Sequence, residues 1–166
     1  MSVVVVRRYE NEIVLASDRQ ITYGKQKTLC DSKFFQVGDV IVGFTGASYE
    51  SMLFRNYLSD RLNNDDLDLE DAYDWNEAIF EFQTVISSKK KDFECTNSHI
   101  LIQNNRIFYS TGSFVQEVME YMAIGSGSQV ALGVLYLGGT PSDAVKAACE
   151  YDTGCSGGPH LKIIIY

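Results

Sequence analysis

Two short hydrophobic patterns dominate the first 45 residues. Residues 3–8 and 12–18 are rich in apolar and β-branched side chains and flank the polar pair Glu10-Asn11. Residues 32–37 and 40–45 repeat this arrangement on either side of a glycine. Runs of this length, bounded by turn-forming residues, are typical of paired β-strands. The sequence therefore predicts two hairpins.

From Tyr49 the apolar positions recur with the three-to-four-residue period of a helix. They are Met52, Leu53, Phe54, Tyr57, Leu58 and Leu62. The acidic residues 65–71 are interpreted as a solvated connection. A second helix is predicted with Asp74 as its N-cap and an end near Lys89, packed against the first helix. One side of it is formed by Ile79, Phe80, Phe82 and Ile86.

The second half repeats this order. Strands are predicted at residues 98–103, 106–110 and 118–124. One helix follows Gly127, and another has Thr140 as N-cap, Pro141 at its first position and an acidic residue at its third. A last strand is predicted at residues 161–166. Strands grouped apart from helix pairs favour an antiparallel α+β fold, and two helix pairs covering two sheets make a four-layer αββα sandwich. No repeat or linker divides residues 1–166, which we interpret as a single domain.

Composition narrows the classes of function. The chain has 14 Lys and Arg against 22 Asp and Glu, a net charge of −8, and is 45% hydrophobic. A negative field repels phosphate backbones, so we expect no nucleic-acid partner. No apolar run approaches the length that spans a bilayer and no signal peptide is evident, so we expect a cytoplasmic protein without a membrane segment. The four cysteines are widely spaced, which fits reduced thiols and neither a zinc site nor a redox dithiol, and no cofactor is implied.

Ser2 is a candidate nucleophile if Met1 is removed. An N-terminal serine carries its own base, because an α-amine has an ordinary pKa of about 7.7 to 8.0 and can take the hydroxyl proton directly or through water. Since very many proteins begin Met-Ser, this feature alone indicates little.

Two charged residues are further candidates, Asp18 at a predicted strand end and Lys33 within the predicted strand 32–37. Asp18 fits simple turn chemistry, with its side chain bonded to nearby backbone. Lys33 fits either a solvated edge lysine or a desolvated ammonium that, beside a hydroxyl and a carboxylate, lowers the barrier to deprotonating a nucleophile. The sequence around Lys33 leaves both interpretations open.

Two glycine-containing segments lead from a predicted strand into a helix. Gly43-Phe44-Thr45-Gly46-Ala47-Ser48 is either a tight connection or a source of a backbone N–H for a developing oxyanion. Gly125-Ser126-Gly127 is similar to the start of a dinucleotide loop, but Val130 occupies the third glycine position and no strand follows the helix.

Taken in order, these motifs resemble those of the proteasome β-type family of N-terminal nucleophile hydrolases, and especially its bacterial peptidase subunits that pair with an ATP-dependent unfoldase. The resemblance covers nearly the whole chain in six segments. These are the opening strand from Ser2, Ala16-Ser17-Asp18-Arg19 with Thr22 and Gly24, Asp31-Ser32-Lys33-Phe34-Phe35, Gly43-Phe44-Thr45-Gly46-Ala47, Ala123-Ile124-Gly125-Ser126-Gly127 and residues 152–158.

The resemblance implies the αββα fold of N-terminal nucleophile hydrolases and a set of residue roles. Ser2 would be the nucleophile, Asp18 and Lys33 a charge pair beside it, and Gly46 the oxyanion donor. The α-amine and a relay water would be held by Ser126, Asp152 and Ser156. The substrate pocket would be shaped by Gln20, Ile21 and Thr45.

Several positions depart from the family pattern. Serine stands where threonine is usual, Ala47 replaces a second glycine, and Asp152 lies one residue farther from Ser156 than the family spacing. The number of residues between Ser2 and Asp18 agrees with the family spacing when Ser2 takes the place of the nucleophile. Alignment on the pair Arg7-Arg8 instead puts Met1 in that place. A retained Met1 would acylate the amine that serves as base.

The resulting hypothesis is a proteasome-like peptidase that cleaves amide bonds in peptides or unfolded proteins within a self-assembled ring or barrel, with an ATP-dependent unfoldase as a candidate partner. One alternative is a catalytically silent structural or scaffold subunit of the same fold. Another is a small-molecule amidase of the same superfamily, since the N-terminal nucleophile also serves non-peptide amides.

Overall fold

The computed structural model describes residues 2–64, 67, 69–90 and 93–166. Within them the elements, in chain order, are β1 (Val4–Arg8), β2 (Glu12–Ser17), β3 (Gln20–Tyr23), β4 (Gln26–Leu29), β5 (Phe34–Val37), β6 (Val40–Thr45), α1 (Ser48–Asn63), α2 (Ala72–Lys89), β7 (Ser98–Gln103), β8 (Arg106–Thr111), β9 (Phe114–Val118), β10 (Tyr121–Ile124), α3 (Ser128–Tyr136), α4 (Pro141–Tyr151) and β11 (His160–Ile165).

The first sheet has the antiparallel order β10-β1-β2-β11. Small and β-branched side chains on one of its faces, including Val3, Val5 and Ala16, pack against α3 and α4. The facing helical residues are themselves mostly small, as at Ala144 and Ala148, so the helices lie close to the sheet. This packing forms one half of the molecule.

The second sheet has the antiparallel order β5-β6-β7-β8-β9 and carries α1 and α2. The layer between sheet and helices is aromatic, with fully buried Phe54, Trp75, Phe82 and Phe108. Large rings remove much apolar area from water, so this layer contributes strongly to stability.

The two sheets pack face to face through a third apolar layer. Val4 and Val6 of β1 point into it, whereas Val3 and Val5 point to the helices on the other side. A strand that is buried on both faces has apolar side chains at every position, which explains why residues 3–6 are all valine. The layer order is helices, sheet, sheet, helices, so the predicted αββα sandwich is confirmed.

The structure also confirms the hairpins β1–β2 and β5–β6. It adds the hairpin β3–β4, which the sequence did not predict because its residues are mostly polar and mostly exposed. Within the described part of the chain these two strands pair only with each other. The strand predicted at residues 118–124 is instead two strands. Val118 ends β9 in the second sheet, and Tyr121 begins β10 in the first.

The second helix starts earlier than predicted. Asp71, not Asp74, is its N-cap, and Asp74 is the third helical residue that closes a capping box. Phe80 does not share the buried side with Ile79: its side chain is 60% exposed. In the predicted solvated connection, Leu69 is buried, which corrects that interpretation in part, while residues 65, 66 and 68 lie outside the described residues.

All four cysteines are free, and Cys155 is buried beneath α3 and α4. Among the described residues no helix is both long and apolar enough to cross a membrane.

Antiparallel pairing sets the position of the candidate site. Since β1 runs opposite to β2 and β10, the residues before β1 lie beside those that follow β2 and β10. In the second sheet the start of β5 pairs with the end of β6. Segments distant in sequence therefore meet at one end of the sandwich.

Candidate active site

Ser2, Asp18 and Lys33 form a buried cluster at this end of the sandwich. Lys33 Nζ donates to Ser2 Oγ and to Asp18 Oδ1, both at 2.7 Å. The Lys33 side chain is 4% exposed and that of Asp18 is fully buried. A buried ammonium next to a hydroxyl stabilises the alkoxide form of that hydroxyl, and the carboxylate compensates the charge of the lysine.

Backbone groups hold the Asp18 carboxylate in place. Oδ1 also accepts from the Val3 N–H at 2.8 Å, while Oδ2 accepts from Gln20 at 3.0 Å and from Ser156 at 3.3 Å. The Asp18 N–H in turn donates to the Val3 carbonyl, which continues the β1–β2 ladder by one residue. A carboxylate that accepts several N–H bonds is stabilised in its charged form.

Lys33 lies immediately before β5 rather than within a strand. Its carbonyl accepts from the Phe44 N–H at 3.0 Å, which extends the β5–β6 pairing to the lysine. Strand pairing therefore fixes the lysine backbone, and the side chain is directed into the cluster.

The turn after β10 encloses the backbone of Ser2. Ser2 N donates to Ser126 Oγ at 3.1 Å, and the Gly127 N–H donates to the Ser2 carbonyl at 3.2 Å. Gly125 has a φ of +95°, and a Cβ built there would lie 2.3 Å from the Ser2 carbonyl oxygen. Only glycine fits, so the turn holds Ser2 closely.

A cavity of about 340 Å³ opens beside Ser2. Gly46, which has a φ of +121°, lines it together with the Ser2 and Lys33 side chains. In the part of the chain that the structure describes, no hydrogen-bond acceptor is paired with the Gly46 N–H. The arrangement thus combines a hydroxyl, a neighbouring cation and a backbone donor around a space where an acyl group fits.

Comparison with known proteins identifies the family. The family model described as "Proteasome subunit" matches residues 2–148. The chain belongs to the proteasome subunit family.

Solved structures similar to this proteasome-family subunit share its fold at low identity. A Thiobacillus denitrificans BPH in complex with epoxomicin is 21% identical with a TM-score of 0.81, and the match covers 98% of each chain. Another structure of Thiobacillus denitrificans BPH has a TM-score of 0.83 at 19% identity, covering 98% of this chain and 97% of that one. HslV from Trypanosoma brucei has a TM-score of 0.81 at 18% identity, covering 99% of each chain. No curated protein matches. Family and fold together support a proteasome-like peptidase at the level of the family.

Of the three residues expected to hold the α-amine and a relay water, two lie at the site and one lies elsewhere. Ser126 contacts Ser2, and Ser156 contacts the cluster through its N–H to Asp18 and through its hydroxyl, which donates to Gln20 Oε1 at 2.8 Å. The carboxylate of Asp152 instead accepts from the Gly154 N–H at 2.5 Å. The structure therefore brings Ser126 and Ser156 to the site and places Asp152 in the connection that follows α4.

Of the three residues expected to shape the substrate pocket, two line the cavity and one does not. Gln20 and Ile21 line the cavity, whereas Thr45 is absent from the described lining residues. The Thr45 methyl group instead faces Gly125, where a built Cβ would lie 2.8 Å from it. Most other lining side chains are neutral, and they include Tyr23, Cys30, Phe44 and Tyr49. Burial raises the pKa of the Cys30 thiol, so the thiol form is favoured there.

Sequence reasoning missed two buried polar residues next to the Gly46 turn. Asn97 is 2% exposed and bonds to Ala47, and Glu50 is 1% exposed and bonds to the backbone of residues 96 and 97. Neither belongs to a motif, and an acid in the first turn of a helix is ordinarily a solvated residue. No local signal distinguishes them.

Proposed function

We propose that this proteasome-family subunit is a peptidase in which Ser2, exposed by removal of Met1, is the nucleophile. One observation carries the proposal: a single buried ammonium, Lys33 Nζ, lies 2.7 Å from both Ser2 Oγ and Asp18 Oδ1. The same contact favours Ser2 over Met1 as the nucleophilic residue. A structural ion pair does not require a hydroxyl at this point, whereas an activated nucleophile does.

The chemistry follows from these positions. Ser2 Oγ attacks the carbonyl carbon of the scissile amide, and its proton passes to the free α-amine of Ser2, directly or through water. Lys33 stabilises the negative charge on Oγ as the proton leaves. The Gly46 N–H donates to the oxygen that becomes negative in the tetrahedral intermediate.

The intermediate then collapses. The C–N bond breaks, and the leaving amine takes the proton from the α-ammonium, which leaves an ester between the acyl group and Ser2 Oγ. A water molecule, deprotonated by the same α-amine, attacks this ester. As this second intermediate collapses, the ester C–O bond breaks and Ser2 Oγ takes the proton back from the α-ammonium. The carboxylic acid is released and Ser2 is regenerated, so every proton is accounted for.

Assembly into a ring or barrel is a second part of the proposal. Family membership supports it, and so do large apolar side chains that stand in solvent in the isolated chain. Examples are Tyr136 and Leu137 at the end of α3, 79% and 84% exposed, and Ile165 in β11, 80% exposed. Burial of such side chains against other copies would remove apolar area from water. We place the substrate, a peptide or unfolded protein, inside this assembly, with an ATP-dependent unfoldase as the partner that delivers it.

The cytoplasm is the compartment we propose, because four unpaired thiols persist in a reducing environment.

The decisive experiment begins with the intact mass of untagged protein. A mass lower by one methionine residue establishes the free amine. Hydrolysis of a fluorogenic peptide is then compared in wild type, Ser2→Ala and Ser2→Thr. Since all three residues are small, Met1 is trimmed equally. We expect turnover in wild type and Ser2→Thr and none in Ser2→Ala; equal turnover in Ser2→Ala contradicts the proposal.

Three further readouts separate the alternatives. Because a similar structure contains epoxomicin, that compound is tested as a ligand, with binding expected in wild type and lost in Ser2→Ala. Mass-resolved light scattering measures the assembly, and a monomer contradicts the ring. A ring with full-length mass and no hydrolysis of peptides or small amides supports a structural subunit, whereas hydrolysis of small amides alone supports an amidase.

A further inference from the structure

Asn97, immediately before β7, binds both backbone groups of one residue in the Gly46 turn. Its Oδ1 accepts from the Ala47 N–H at 2.6 Å, and its Nδ2 donates to the Ala47 carbonyl at 3.0 Å. Nδ2 also donates to Ser51 Oγ at 2.9 Å. A single buried amide therefore acts as a clamp on this backbone.

The clamp sits directly against Gly46. A Cβ built on Gly46 would lie 2.1 Å from Asn97 Oδ1, so the amide occupies the space that any other residue would need. On the other side of Gly46, Thr45 is the last residue of β6 and pairs with Ser98. The Gly46 backbone is thus restrained by a strand before it and by the Asn97 amide after it.

Glu50 supports the clamp from behind. Its carboxylate accepts from the Thr96 N–H at 2.9 Å and from the Asn97 N–H at 3.1 Å. It lies in the first turn of α1, where the helix dipole favours negative charge. Burial raises its pKa, and these N–H bonds oppose that effect. Glu50 therefore fixes the backbone from which the Asn97 side chain projects.

Hydrogen bonds to Ala47 also determine which N–H is available. Gly46 and Ala47 both line the cavity beside Ser2. The Ala47 N–H is committed to Asn97, whereas the Gly46 N–H has no acceptor among the described residues. A transition state gains from a donor that is already oriented, because no reorganisation is needed as charge develops. An unrestrained glycine samples many backbone conformations and would lose this advantage.

We propose that Asn97 is a positioning residue for acyl transfer, acting through Ala47 to orient the Gly46 N–H toward the oxyanion, with Glu50 holding Asn97 in place. The inference rests on the proposed function for its chemical consequence. The clamp itself is a property of the fold and is measured separately.

Two substitutions test it. Asn97→Ala removes both bonds to Ala47. Asn97→Asp is nearly isosteric and keeps the acceptor for the Ala47 N–H, but it presents an oxygen to the Ala47 carbonyl. Ser51→Ala is the matched control in the same buried cluster. It removes a partner of Asn97 and the long 3.4 Å bond from Ser51 Oγ to the Ala47 carbonyl, but it leaves both bonds between Asn97 and Ala47 in place. Glu50→Gln is a second route if Asn97→Ala does not fold, because it weakens the acceptor behind Asn97 and preserves volume.

Amide hydrogen exchange at residues 46–48 is the first readout and needs no activity. We expect exchange of the Ala47 N–H to become at least about tenfold faster in Asn97→Ala, somewhat faster in Glu50→Gln, and unchanged in Ser51→Ala. Unchanged exchange in Asn97→Ala, or in Glu50→Gln if the former does not fold, overturns the clamp.

Peptide kinetics is the second readout. Loss of a whole oxyanion donor costs about 10²–10³ in kcat, so a misdirected donor is expected to lower kcat by roughly 10- to 100-fold in Asn97→Ala and Asn97→Asp while KM stays within about twofold. A fall in kcat equal to that of Ser51→Ala, or a change confined to KM, overturns the positioning role. If wild type itself shows no turnover, the proposed function fails, and hydrogen exchange still decides whether the clamp exists.

Discussion

Replacing Lys33 by methionine removes the ammonium and keeps most of the side-chain length. In wild type this ammonium is 4% exposed and bonds to the fully buried Asp18. Removal of one partner of a buried ion pair typically costs about 3–5 kcal/mol, because the other charge is left uncompensated. Three backbone N–H groups still donate to the carboxylate. We therefore expect the free energy of unfolding to fall by an amount near the lower end, about 3 kcal/mol.

The chain offers a matched control in Lys146→Met. Lys146 also pairs with an aspartate, Asp143, at 3.5 Å, but the two side chains are 62% and 53% exposed. Exposed pairs contribute about 0–1 kcal/mol because water screens them. The same substitution thus samples a buried and a solvated ion pair in one protein.

Both variants are compared with wild type at equal protein concentration by urea unfolding and by peptide turnover. We expect Lys33→Met to lose about 3 kcal/mol and to lower turnover by roughly 100-fold or more, since the cation no longer stabilises the Ser2 alkoxide. Lys146→Met is expected to stay within about 1 kcal/mol of wild type with unchanged turnover. Equal, small losses of stability would refute the compensation argument, and wild-type turnover in Lys33→Met would refute the catalytic one.

Two further predictions concern the site and the core. Gly125→Ala places a methyl group against the Ser2 carbonyl and is expected to lower turnover at least about tenfold. Gly112 also has a positive φ, +57° against +95° for Gly125, but open space around it, so Gly112→Ala is expected to cost only about 1 kcal/mol of stability. Equal turnover in the two variants argues against close positioning of Ser2. Burial lowers the pKa of His99 to about 4 from 6.5. Between these two pH values the unfolded state therefore binds more protons than the folded state. The stability that is present above pH 6.5 is lost as the pH falls through this window, and the loss is about 2 kcal/mol at pH 5. His99→Gln should flatten this part of the pH profile of unfolding; an unchanged profile in His99→Gln assigns the loss to other groups.

Periodicity and turn chemistry predicted most of the elements because both are local. Alternation and short apolar runs identified β1, β2, β5 and β6, and the Thr-Pro-Ser-Asp run identified the start of α4, where Thr140 caps the helix as expected. The hairpin β3–β4 carries no such signal, since β4 is exposed throughout and only the first residue of β3 is buried.

The predictions from sequence were wrong where burial, and not the spacing of residues, decides the structure. Phe80 follows the buried Ile79 in α2, yet the rotation of the helix turns it to solvent. The break between β9 and β10 depends on which sheet each strand joins, and Val118 and Tyr121 pair in different sheets. A helix or strand pattern does not specify its neighbours.

At the candidate site, too, local motifs predicted some features and the tertiary structure decided others. Ordered motifs selected Ser2, Asp18, Lys33 and Gly46, and the structure brings these four to the same end of the sandwich. Thr45 and Asp152 were selected on the same grounds, but they face Gly125 and Gly154 instead. Motif order thus identified candidates without fixing where each side chain points.

By itself the sequence determined the α+β fold class, the family resemblance and the residue types available for chemistry, because these depend on local period and on short ordered motifs. Only the tertiary structure decided that one lysine bridges a hydroxyl and a carboxylate, and that Asn97 and Glu50 restrain the Gly46 turn. These contacts join residues far apart in the chain, as when the Ser156 N–H reaches an Asp18 oxygen 138 positions away. The physical reason is that burial and partner choice are set by how the two sheets and their helices pack, which no short segment encodes.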